Sequence, residues 1–399
     1  MLDTPTGQLI RLFRIDRKQS TVKVATLAGI TVRDLEMFEA GTRSASLPVV
    51  RKIAKMLGVR TSTLIGAAPS EDHEGPINPR LAELQRALFT YRTLALSDPA
   101  EVPELGELAA QVEASWDAWC TSPNKYRDVL RVLPGLIVHS ERAVHEHRRS
   151  PQACRLACEV YQLARPVVKY LGRVDLSRFV ADRGMRYAEE TEDPVVVGAA
   201  TWNLALALLA DDMPYGALDI ATRGAEQLER LLPDGTPEHF SLYGGLVQVA
   251  AVAQVRTGEP QRGRELLRDA LTAAERVGDG SDYHHIFFGP TNVGIHATSI
   301  ELEAGEISEG LRLADDVDIA KIGSLERKTA HLYQVASAYE YQGNDPAVFA
   351  HLTMAERICP EDFRYRQTVR NMVRTLVRRA KPSYAPEVRE FAARIEMLD

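Results

Sequence analysis

Three groups of side chains in this sequence have the types and spacing for metal or proton chemistry. Glu141 and His145 stand four apart on a predicted helix, His284 and His285 are adjacent, and Cys154 and Cys158 are four apart on one helical face. Residues four apart point the same way on a helix, so each such pair can share a ligand. A zinc site needs further ligands at comparable spacing, and neither HExxH nor CxxC accompanies these groups. Ordinary core or surface histidines and buried, reduced cysteines are the expected roles. The sequence also lacks a P-loop, a dinucleotide glycine fingerprint and a GxSxG elbow. No metal, no cofactor and no enzymatic activity is therefore expected.

Recognition chemistry is concentrated near the N-terminus instead. Residues 1–66 hold eleven Lys/Arg against five Asp/Glu, while the whole chain carries −7, so a head of +6 is joined to a remainder of −13. A compact basic head on an acidic body suits a polyanionic partner that only the head meets.

Five short helices are predicted in the head. Leu9, Leu12 and Phe13 give the first an apolar face, with Arg11, Arg14, Arg17 and Lys18 around its exposed side and end. Ser20 caps a second helix with apolar positions Val22, Val24, Ala25 and Leu27. Ala28-Gly29-Ile30 supplies a tight turn, with Gly29 free to take positive φ, and Thr31 caps a third helix that turns Leu35 and Phe38 inward. Gly41 ends it, Leu47-Pro48 opens a fourth helix and Thr61 caps a fifth.

Residues Ser20, Ala25, Ala28-Gly29-Ile30-Thr31, Leu35, Glu39 and Gly41, with Leu57-Gly58-Val59 and Leu64, resemble the Xre/Cro-repressor family over about sixty residues. The resemblance implies a lambda-repressor-like DNA-binding domain over 1–66. Its third helix would lie in the major groove of double-stranded DNA, with Thr31, Val32, Arg33, Glu36 and Met37 toward the bases. Arg14, Thr21 and Arg43 would hold the phosphate backbone. Arg33 suits guanine, Glu36 a cytosine amino group, and Val32 or Met37 a thymine methyl. The family usually carries small polar or basic residues along that helix, whereas Asp34, Glu36 and Met37 stand here, and acids near phosphates repel. A protein-interaction scaffold whose helix-turn-helix head does not bind DNA is the alternative.

Ala67 to Pro79, with three prolines and a run of acids, reads as a linker, and 80–399 as an all-helical body. Small residues recur at matched offsets around turns at Asp212, Gly258, Gly305 and Gly343. Ala205, Ala251, Thr298 and Ala336 stand seven before; Ala217, Gly263, Gly310 and Val348 stand five after; Gly224, Ala270, Val317 and Ala355 stand twelve after. This pattern resembles the tetratricopeptide repeat, an α-solenoid of helical hairpins, with turn spacings longer than its usual unit. The stretch around Phe288-Gly289-Pro290-Thr291-Asn292 is similar to one in large actinobacterial regulators that join an Xre head to a repeat body. By the tetratricopeptide likeness the groove-facing positions are Trp202, Asn203, Gln248, Asn292, His296, Tyr333 and Gln334, whose amides, imidazole and rings suit a peptide or small-molecule effector. The basic stripe Arg366, Arg370, Arg374, Arg378 is expected to pair internally with carboxylates such as Asp315 and Asp316.

These residues together imply an all-α transcriptional regulator. It is expected to be a homodimer with no membrane segment and no signal peptide, cytoplasmic and nucleoid-associated when bound to DNA, with a repeat body that senses an effector.

Overall fold

The computed structural model describes residues 6–43, 45, 47–59, 61–64, 79–89 and 103–395. Every regular element among them is helical, and no strand forms. No helix among them is long and apolar enough to cross a membrane. The chain divides into two compact units. The first gathers the described residues of Met1–Glu71, Ala297–Val317 and Lys328–Asp399, the second those of Asp72–His296 and Asp318–Arg327. Residues 80–399 thus contribute to both. The expected linker 67–79 lies outside the described residues except for Pro79, which opens a helix.

At the start of the first unit stand α1 (Thr6–Asp16), α2 (Thr21–Ala28), α3 (Val32–Glu39), α4 (Leu47–Leu57) and α5 (Thr61–Leu64). Their boundaries are set by local chemistry. The Ser20 hydroxyl accepts from the Lys23 amide, Gly29 takes φ 71° at the end of α2, and the Thr31 hydroxyl accepts from the Asp34 amide. Gly7 lets α1 lie directly on α3, since a Cβ there would stand 1.7 Å from the Phe38 carbonyl oxygen.

The buried core joins Ile10, Val24, Ala25, Ala28, Leu35, Ile53, Leu57 and Leu64. It differs from the expected apolar faces at three positions: Leu12, Val22 and Leu27 are 59, 59 and 62 % exposed. A helix of two or three turns buries one stripe, and Ile10 on α1 and Val24, Ala25 and Ala28 on α2 take it. The apolar residues beside that stripe are left facing solvent.

Beyond the head come α6 (Pro79–Leu88), α7 (Leu105–Thr121), α8 (Lys125–Glu146), α9 (Pro151–Tyr170) and α10 (Val174–Glu189), followed by four hairpins. These are α11 (Pro194–Ala210) with α12 (Pro214–Glu229), α13 (Pro237–Thr257) with α14 (Pro260–Val277), α15 (Pro290–Ala304) with α16 (Ile307–Asp315), and α17 (Leu325–Gln342) with α18 (Asp345–Ile358). Proline opens many of these helices, where its missing N–H would have no intrahelical partner. The four turn residues all adopt the left-handed conformation: Asp212 φ 58°, Gly258 105°, Gly305 91° and Gly343 73°.

Ala205, Ala251, Thr298 and Ala336 are each fully buried seven residues before those turns. The glycines at the matched positions after the turns are a packing requirement. A Cβ on Gly263 would come within 2.8 Å of the Ala251 carbonyl oxygen, one on Gly224 within 2.7 Å of Thr201 Cγ2, and one on Gly310 within 2.5 Å of Leu302 Cδ2. Val317 departs from the pattern, because α16 ends at Asp315 and leaves it half-buried beyond the helix.

The first unit closes with α19 (Asp362–Tyr365), α20 (Gln367–Arg379) and α21 (Ala385–Arg394). Arg366 pairs with Asp362 at 3.1 Å, while Asp316 is held by Arg312 at 3.3 Å. The basic stripe therefore begins on a carboxylate four residues away rather than on α16.

Candidate functional site

Two groups of expected site residues assemble, one in each unit. In the first unit, α3 opens with a reciprocal cap. Thr31 Oγ1 accepts from the Asp34 amide at 3.0 Å and donates to its carboxylate at 2.8 Å. That carboxylate also pairs with Arg43. Of the two acids of α3 that would repel phosphate, Asp34 is thus occupied by a cap and a guanidinium, while Glu36 stays exposed.

Thr31, Arg33 and Glu36 are exposed, Val32 and Met37 half-buried, and Thr21 half-buried at the first position of α2. Arg33 has no ion pair among the described residues. Exposed Arg11, Arg17, Lys18, Lys23, Lys52 and Lys55 complete the basic surface of these helices.

Arg14 and Arg43 are engaged within the unit. Arg14 bonds Glu39 through Nε and Nη2 and the Gln19 carbonyl through Nη1. Its guanidinium braces α1 on α3. Arg43 lies over the Tyr341 ring at 5.1 Å as well as on Asp34. Arg51 of α4 is ion-paired with Glu303 of α15, a contact the sequence did not signal.

In the second unit five of the seven groove positions, Trp202, Asn203, Gln248, Asn292 and His296, fall on α11, α13 and α15. The first four are at least nine-tenths buried. Gly245, one turn before Gln248, makes room for the indole: a Cβ there would meet Trp202 Nε1 at 3.4 Å. Both amide atoms of Asn292 and the Gln248 amide nitrogen are buried without a hydrogen-bond partner among the described residues. His296 shares its Nδ1 with the Asn292 carbonyl at 3.1 Å, and burial, then Arg327, push its pKa down to about 4. It is neutral at physiological pH.

Two arginines absent from the expected set complete this cluster. Arg165 of α9 donates to Asn203 Oδ1 at 2.6 Å, and its guanidinium carbon lies 5.9 Å from the Trp202 ring centre; Arg327 lies 5.9 Å from the same centre. Burial lowers the Arg165 pKa to about 10, leaving it charged. The sequence signal for Arg165 was a cation inside the apolar run Leu163 to Val168, with no acid one turn away on either side. Arg327 also lines a solvent-open recess of about 300 Å³ shared with Asn292, Thr291, Ile295, Lys321 and Asp279.

Tyr333 and Gln334 are placed in the first unit, apart from these five. The Tyr333 hydroxyl donates to Asp362 at 3.3 Å, its ring meets Phe363 edge-on, and Gln334 donates to Ser299 at 3.0 Å.

The other candidate groups are tied into the second unit. Glu141 accepts from the hydroxyls of both Tyr161 and Tyr187. His284 contacts Glu238 at 2.8 Å, and His285 stacks on Trp116 with centres 4.0 Å apart. Cys154 and Cys158 are free and buried, and burial raises both thiol pKa values. Among the described residues no group of three or more His, Cys, Asp or Glu is arranged to hold a metal ion. No protein-family model and no curated protein sequence matches the chain.

Proposed function

We propose that the protein is a sequence-specific DNA-binding transcriptional regulator. Its lambda-repressor-like head reads the major groove with α3, and its tetratricopeptide-like body senses an effector. The observation that carries this reading is the outer face of α3, where Thr31, Arg33 and Glu36 stand exposed and Arg33 has no ion pair among the described residues. The positive head and the neutralised Asp34 support it.

In this reading Arg33 pairs with guanine and Glu36 accepts from a cytosine amino group, while Val32 or Met37 meets a thymine methyl. Thr21 and the surrounding Lys/Arg hold phosphates. A homodimer presents two α3 helices to half-sites about one helical turn apart. An effector bound at the Trp202 to His296 cluster changes DNA affinity to the extent that it binds one arrangement of the dimer better than another.

One observation favours a second reading, in which the head serves a protein-interaction scaffold. Arg14, Arg43 and Arg51 are each held by a carboxylate, which withdraws three cations from any phosphate. Genome-wide recovery of crosslinked DNA with wild type and Arg33→Ala separates the two. Sharp peaks that vanish in the variant establish the regulator and yield its operator. Absence of enrichment with either protein, with and without cell extract as an effector source, establishes the scaffold.

A further inference from the structure

The effector cluster of the second unit has a chemical bias that its amides alone do not convey. Arg165 and Arg327 both lie against Trp202, and neither has a carboxylate partner among the described residues. Two guanidinium groups on one indole are usually accompanied by acids that neutralise them, because buried charges are paired. Here the only hydrogen-bond partner of Arg165 among the described residues is the neutral side chain of Asn203. The one neighbouring imidazole, His296, is held uncharged and supplies no anion.

The recess beside Arg327 has the same sign. Its charged lining is Lys321, Arg327 and Asp279, and Asp279 is spent on α15, accepting from the Thr291 amide at 3.0 Å and its hydroxyl at 2.8 Å. Glu326, the acid next in sequence to Arg327, accepts from the Tyr170 hydroxyl, and its charge acts on the buried Arg165 rather than in the recess lining. Asn292 reaches this recess with its amide oxygen and nitrogen both unpartnered and its side chain only 4 % exposed. Leaving both halves of a buried amide unpaired costs stability unless something binds there.

We propose that this recess, lined by Arg327, Lys321 and Asn292, binds a ligand through a carboxylate group. Arg327 and Lys321 take the carboxylate, and Asn292 donates to it or accepts from the adjoining N–H or O–H. A small organic acid and the terminal residue of a short peptide share the carboxylate and differ in the group that bears it. The proposal rests on the effector reading above and narrows its ligand class.

The test uses the full-length chain and ultrafiltration with mass-spectrometric detection. The probes are N-acetylated random tripeptides with free C-termini, the same pool C-terminally amidated, and a panel of aryl carboxylic acids beside their primary amides. Free acids retained at least tenfold over their amides, with that ratio falling to about one in Arg327→Ala, is the expected result; the pool that is retained identifies the source of the carboxylate. Lys321→Ala, at an exposed side chain of the recess lining, should lower the ratio as well and keeps the test open if Arg327→Ala does not fold. Acids and amides retained alike, with loss in Asn292→Ala, overturns the carboxylate while leaving an effector site. Retention that ignores Arg327→Ala, or no retention from any pool, overturns the proposal, and the DNA measurements stand independently of it.

Discussion

Arg14 and Glu39, 25 residues apart, form a two-pronged ion pair, with Nε–Oε1 at 2.6 Å and Nη2–Oε2 at 2.7 Å, that ties α1 to the last turn of α3. The side chains are only 14 and 8 % exposed. Removing one partner of so sheltered a pair strands the other charge, whereas replacing both with apolar groups does not. Glu39→Gln should therefore destabilise the head by about 2 kcal/mol, below the cost of breaking a fully buried pair because some solvent reaches Arg14. Amide exchange of α1 to α5 in the full-length chain measures it. The Arg14→Met, Glu39→Leu double variant should recover most of the loss; protection equal to wild type in Glu39→Gln would show that the pair braces nothing.

Glu303 holds Arg51 within the same compact unit. Glu303→Gln removes this carboxylate from Arg51 of α4 and should raise affinity for duplex DNA several-fold at low salt, steepening the logarithmic salt dependence by about 0.9. An unchanged slope would mean that Arg51 does not reach phosphate.

At the turn between α11 and α12, Asp212 occupies the left-handed region that Gly258, Gly305 and Gly343 occupy at the matching turns. A side chain there is strained, although aspartate tolerates it better than most residues. Asp212→Gly should stabilise the chain slightly, by about 0.5 kcal/mol after the greater freedom of glycine in the unfolded chain is subtracted, and Gly258→Ala should destabilise it by about 1 kcal/mol. Urea midpoints for the two variants should shift in opposite directions; shifts of one sign would contradict the strain argument.

Acid should weaken the fold before most carboxylates titrate. Burial and Arg327 lower the His296 pKa to about 4, and burial and His351 do the same for His331, against about 6.5 in an unfolded chain. Between those values the unfolded chain binds more protons than the folded one. The contribution is fully present above pH 6.5 and is lost as pH falls toward 4. Urea midpoints should decline across that window, and less steeply in the His331→Gln variant. A midpoint constant from pH 7 to 5 would contradict burial of these rings.

Much of this architecture was legible because it depends on local chemistry. Ser20, Gly29 and Thr31 mark helix ends through bonds to residues within a few positions, and the small residues at the matched offsets, Ala205, Ala251 and Ala336, are fully buried, whereas Trp202, Asn203, Gln248 and Asn292, read as groove-facing, are at least nine-tenths buried. Leu12 and Leu27 were not legible, since short helices with apolar residues on several sides do not declare which stripe the core takes. Tyr333 reads from the sequence as groove-facing, yet the helices after the last hairpin bring Asp362 and Phe363 onto it. The convergence of Arg165 and Arg327 on Trp202 joins α9, α11 and α17, a long-range packing result that no spacing encodes.

The decisive measurement is the affinity of the full-length chain for duplexes selected from a random pool, titrated with salt for wild type and Arg33→Ala. Recognition through α3 predicts enrichment of one motif, a logarithmic salt slope of several units, and a loss of about 1–3 kcal/mol in Arg33→Ala confined to the preferred motif. Failure to enrich any motif, or equal affinity of wild type and Arg33→Ala for every duplex, would contradict it.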